Sequence, residues 1–288
     1  MHTSGTPLIK QGWLRALLFI IVFIGFNFLF EILSFFLVTK VFAFSTTAPG
    51  GNASTLTRYA VALAGTAALI WAWRRLIDRK DFLSIGFDFK PFADDAWTGF
   101  FTAVLLLGLG TLLLAIPGYL SFGDPTFEGK PFLINLALMV VIAFSEELVV
   151  RGYVLNNLLQ SVNKWVALGI SAVFFALMHL GNPDMSIISF AIILVAGFFI
   201  GINYIYTRNL WFGIFFHFAW NFIEGPVYGY EVSGINLDSI FQQNLDGAAW
   251  LTGGPFGFEG SLICLLLLVA ASLFFARYFA KKYAAAAV

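Results

Sequence analysis

Three ionisable side chains stand close together in Ala143-Phe144-Ser145-Glu146-Glu147-Leu148-Val149-Val150-Arg151-Gly152, inside an otherwise apolar run from Leu133 to Leu159. A charge at the centre of a bilayer costs ~2.5–3.5 kcal/mol, so each needs a partner or water. On a helix Glu147 and Arg151 share a face and pair. Glu146 points about 100° away and is left over. Of the chain's 3 histidines, His2 lies in a polar N-terminal stretch, while His179 and His217 lie in apolar runs. His217 and Asn221 are four apart and present to one helix face. A carboxylate beside an imidazole can hold and deprotonate a water, and a second imidazole with a carboxamide can donate hydrogen bonds to a developing oxyanion. Those are the parts of a hydrolase acting on an amide or ester. Direct attack by water is expected, because Ser145, although next to Glu146, has no paired base. Glu146, His179 and His217 are also a ligand set for Zn²⁺ with a position left for water, so a divalent metal stays open as cofactor. The HExxH pattern of soluble zinc proteases is absent. Taken singly, Glu147 with Arg151 is a structural ion pair and either histidine a helix-packing residue. Their conjunction with Glu146 and Asn221, on three spans nearly free of other polar groups, is what points to chemistry.

The elements that must position these side chains follow from composition. The 288 residues are 60% hydrophobic and 11% charged, where a soluble domain carries about a quarter charged residues. The chain therefore reads as an all-α, polytopic membrane bundle and a single integral-membrane domain over 1–288. Apolar runs predict about eight transmembrane helices, near 13–38, 58–77, 97–122, 131–158, 165–180, 186–206, 209–224 and 260–280. Two of them, 165–180 and 209–224, are short for a span. With the N-terminus inside, the cytoplasmic segments hold twelve Lys and Arg and the opposite side three, so both termini are expected to be cytoplasmic. Zero formal net charge gives no broad basic surface, and nucleic acid is not an expected partner. The single cysteine, Cys264, excludes an intrachain disulfide. The loop at 45–57 reads as mobile, and Glu31 and Glu224 as interfacial.

The short loop 161–164 makes the fourth and fifth helices an antiparallel hairpin. Positions 146 and 179 are equidistant from its middle, so Glu146 and His179 stand at equal depth, about 20 Å from the tip. His217 fits less well. Counted from a turn at 207–209 it lies only about 12 Å along its helix, so either that turn dips into the membrane or the sites are offset.

Glu146-Glu147-x-x-x-Arg151-Gly152, Phe175-x-x-x-His179 and His217-x-x-x-Asn221 resemble the three motifs of the CPBP family of intramembrane proteases, which comprises the CAAX prenyl endopeptidases and their bacterial Abi relatives. The resemblance covers roughly 130–225, the expected catalytic core, and Glu224 to Gly260 also looks like a bacterial subgroup. It implies Glu146 and His179 as the water-activating pair, His217 and Asn221 as the oxyanion side or further ligands, and Glu147 with Arg151 as an internal brace. It further implies a membrane-associated peptide or protein substrate and a plasma-membrane location, in bacteria the inner membrane. The competing readings are a non-catalytic scaffold or bacteriocin self-immunity protein of the same fold, and a proton-coupled transporter using Glu146 and His179 as a relay.

Overall fold

A computed structural model describes residues 5–41 and 53–284. The chain is mostly helical, and among the described residues the apolar runs become eight longer helices. These are α1 (Gly12–Phe36), α2 (Ala53–Trp73), α3 (Ala93–Ala115), α4 (Gly129–Glu147), α5 (Lys164–Met178), α6 (Ile187–Gly201), α7 (Trp211–Phe222) and α8 (Leu262–Lys282). Among the described residues, 6 helical segments are long and apolar enough to cross a membrane, which makes this a polytopic helical membrane protein. The two not among them are α5, with 15 residues, and α7, with 12. Both are the runs whose shortness stands out in the sequence, and α7 is screened from lipid by its neighbours, with most of its residues buried. His2 lies outside the described residues. So do positions 45–52 of the first loop, while 53–57 are already helical.

Side-chain caps mark where helices begin. Asn163 Oδ1 accepts from the Trp165 amide at 2.9 Å, Ser186 Oγ from Ser189 at 3.0 Å and Ser261 Oγ from Cys264 at 3.0 Å. Each occupies an amide that the first helical turn leaves without a partner. The α4 helix does not stop at Glu147 but widens into a π-helix over Leu148–Leu155 before a last turn at Asn156–Leu158. Such widened turns recur at functional sites. Here every residue of the π stretch is buried.

Two polar clusters tie helix ends together. Asp78 meets Arg15 Nε at 3.2 Å and Arg74 Nη1 at 2.9 Å and accepts from Tyr153 at 3.1 Å, joining α1, the end of α2 and the π stretch. Asp95 accepts from Asn203 at 2.8 Å and pairs with Lys282, so α3, the end of α6 and α8 meet at one point. Asn203 thus acts as an interhelical hydrogen-bond link. A two-stranded ribbon, β1 (Leu120–Phe122) against β2 (Gln243–Leu245), ties the loop after α3 to the long segment between α7 and α8.

The start of α7 is fixed by the segment between α2 and α3. Leu210 donates to Gly86 O at 3.0 Å, Asn209 to Asp88 O at 2.7 Å and the Trp211 indole to Phe87 O at 3.1 Å. Arg208 donates to Asn156 O at 3.3 Å and Leu159 O at 3.4 Å. The turn before α7 is therefore level with residues 156–159 rather than with the hairpin tip. That accounts for the apparent depth mismatch of His217.

Candidate active site

Glu146 and Glu147 are the last two residues of α4, and the backbone widens immediately after them. Glu147 turns inward, where its Oε1 accepts from Arg151 Nη1 at 2.7 Å, with both side chains essentially unexposed. Arg151 also donates to the Gly197 carbonyl at 2.7 Å, and its guanidinium lies 4.6 Å from the Phe175 ring centroid. These contacts pin α4 to α6 and α5. Gly213 gives Glu147 its room: a Cβ there would stand 2.8 Å from Glu147 Oε2.

Both histidines reach Glu146. His179, immediately after α5, places Nε2 3.6 Å from Glu146 Oε2, and His217 on α7 places Nε2 3.9 Å from the same oxygen. The other nitrogen of each ring is engaged. His179 Nδ1 lies 2.8 Å from the Phe175 carbonyl, and His217 Nδ1 3.1 Å from Glu147 Oε1. Both partners are acceptors, so each Nδ1 carries the proton and each Nε2 is free for the cavity. The Phe175 ring packs against both imidazoles, with centroids 4.7 Å and 6.0 Å away, and sets their planes.

These groups line a cavity of about 250 Å³. Asn221, one turn beyond His217, lines it too, as do Ser145 and the apolar Phe23, Ile142, Ile193 and Leu268. All four residues singled out from sequence, Glu146, His179, His217 and Asn221, thus face one space, and Glu147 with Arg151 stands behind it. Ser145 Oγ is buried without a hydrogen-bond partner, and no base activates it. Among the described residues no group of three His, Cys, Asp or Glu side chains is arranged to hold a metal ion, Glu146 with His179 and His217 included.

Residues 128–223 match the family model described as Type II CAAX prenyl endopeptidase Rce1-like. Over that third of its length the chain is similar to this family. The family's description is that of an endopeptidase, an enzyme class whose substrates are peptides or proteins. Comparison with curated proteins and with solved structures gives no match. The matched third of the chain carries Glu146, His179, His217 and Asn221, but not all of the cavity wall. Asn27 on α1, Tyr59 and Thr66 on α2, and Ser233 and Glu259 between α7 and α8 line the same space. None of these was singled out as a site residue from sequence. Asn27 and Thr66 carry a weak signal, as isolated polar residues in apolar spans; Ser233 and Glu259 carry none, because their segment has no helical period. Glu224 corrects an expectation. It is not interfacial but 0% exposed, since Glu259 N donates to it from the overlying segment at 3.3 Å.

Proposed function

We propose that this protein is a membrane-embedded endopeptidase in which Glu146 activates a water against a peptide carbonyl. One observation carries the reading: two imidazole Nε2 atoms converge on a single carboxylate oxygen, at 3.6 and 3.9 Å, inside one cavity. Both separations exceed direct hydrogen-bond length and suit a water held between the groups. The Glu146 carboxylate takes one proton from that water as its oxygen attacks the scissile carbon, and His179 Nε2 accepts from the other O–H and aligns it. Charge developing on the carbonyl oxygen is met by the Asn221 carboxamide and by His217 when its Nε2 is protonated, with Glu147 at its Nδ1 supporting the positive ring. Glu146 then passes its proton to the leaving nitrogen, the C–N bond breaks, and the carboxylate is restored. The balance is one water consumed for one new acid and one new amine, and no step is routed through a metal.

The working unit is the whole chain as one domain, with 130–225 as its core, eight helices in the membrane and both termini cytoplasmic, in a bacterial inner membrane. The apolar lining favours a substrate segment delivered from the bilayer, and a prenylated peptide ending in a CAAX sequence is the first to offer. Purified protein in nanodiscs, with that peptide and with a solubilised membrane proteome, tests the reading. Wild type is expected to cleave, with or without chelator, and Glu146→Gln and His179→Ala to lose about 10²–10⁴ in rate while remaining folded. Cleavage unchanged in both variants would overturn it.

A further inference from the structure

We infer that Glu259, outside the family-matched segment, is a positioning residue for this reaction, its carboxyl group tying α7 to the turn that follows His179. The inference rests on the reading of Glu146 just given. Glu259 is 7% exposed and borders the cavity. Its Oε1 accepts from the Trp220 indole N–H at 3.1 Å, and Trp220 stands on α7 between His217 and Asn221. Its Oε2 accepts from the Ser233 hydroxyl. The Ser233 carbonyl in turn accepts from Asn182 Nδ2 at 3.1 Å, and the Asn182 amide donates to the His179 carbonyl at 3.0 Å. One carboxyl group thus spans the two elements whose imidazoles must meet over Glu146.

The surrounding chain is built to hold it there. Gly257 has φ +95, and a Cβ on it would fall 1.8 Å from the Glu231 carbonyl; Gly234 has φ +82, and a Cβ would fall 2.3 Å from the Pro183 carbonyl. Only glycine lets backbone approach backbone so closely in these conformations. Ser233, a non-glycine residue at φ +49, occupies a strained region of the kind that persists where its neighbours fix it. The Gly-rich stretch thereby delivers a carboxyl group to a place where two donors from different elements point.

The test separates hydrogen bonding from volume and from charge. Glu259→Leu fills the same space and makes neither bond. Glu259→Gln keeps both, its carbonyl accepting from Trp220 and its amide donating to Ser233 Oγ. Using the prenylated CAAX-type peptide, or whichever membrane protein the wild type cuts, E259L is expected to lower kcat about 10–100-fold, the scale of a misplaced catalytic group, with KM within about threefold. E259Q is expected to restore kcat to within about threefold of wild type. Should E259L fail to fold, Trp220→Phe, which deletes the same indole donor, carries the same expectation. Hydrogen–deuterium exchange over 179–186 gives a readout that needs no substrate: exchange rises in E259L and not in E259Q. Undiminished kcat in E259L, or an E259Q variant as impaired as E259L, would overturn the inference. If the wild type cleaves and Glu146→Gln does not while E259L is unaffected, this inference fails alone. If the wild type cleaves nothing, the proposed function fails, and the exchange experiment still decides whether Glu259 makes the tie.

Discussion

At the level of single residues, each cavity imidazole is held by a second contact that fixes what it can present. The two Nδ1 atoms are occupied, so neither ring can flip without stranding a polar atom in an apolar wall. Asn221 makes the cleanest test of the oxyanion side. Asn221→Ala is expected to reduce kcat about 10²–10³-fold, the usual worth of one such donor, with KM little changed. Steady-state kinetics on the purified variant checks it. Gly213→Ala probes the layer behind. The new methyl would meet Glu147 Oε2 at 2.8 Å, so Glu147 must shift and His217 with it. Overpacking of this kind costs about 1–3 kcal/mol, and a lowered melting temperature together with a lower kcat is the expected pair of results. The sequence made Glu146, His179, His217 and Asn221 legible because a polar side chain in a hydrocarbon-length run is conspicuous. Glu259 stayed hidden because it lies in a segment where charge is unremarkable, and only the folded chain brings it to the cavity.

Among the elements, the α4–α5 hairpin was readable by arithmetic. A four-residue loop leaves little freedom, and equal distances from its middle brought Glu146 to His179. The α7 helix was not readable that way, because the turn before it is seated against residues 156–159 by Arg208 and because the π stretch advances less per residue than the α-helix assumed in the count. The Glu147–Arg151 pair joins these elements, and its removal should be felt as stability. Arg151→Ala leaves Glu147 buried without its cation and frees the Gly197 carbonyl. Breaking one side of a buried pair costs about 3–5 kcal/mol, whereas replacing both members by apolar residues of similar size is often near neutral. Thermal unfolding in detergent should therefore show Arg151→Ala well below wild type, and Glu147→Leu with Arg151→Leu closer to it. That double variant should still be inactive, because His217 loses the acceptor for its Nδ1 proton.

On the scale of the whole molecule, the excess of Lys and Arg on one side predicts that both ends of the chain face the cytoplasm. Cys264 is buried, so single cysteines placed at Lys10 and Lys281 can be read against a silent background. A membrane-impermeant maleimide is expected to label both in inside-out vesicles and neither in right-side-out ones. The helical, membrane-spanning character was legible from composition alone, since nothing else accommodates such hydrophobic runs. What composition could not reveal was how far the cavity draws on the rest of the chain. Phe23, Tyr59, Ser233 and Leu268 belong to its walls and lie well outside residues 128–223. The recognisable third is for that reason not a portable module. Excised and expressed by itself, it would carry every chemically active group yet have lipid where its enclosure should be, and a chimera grafting it onto another protein's flanking helices would inherit the reagents without the vessel.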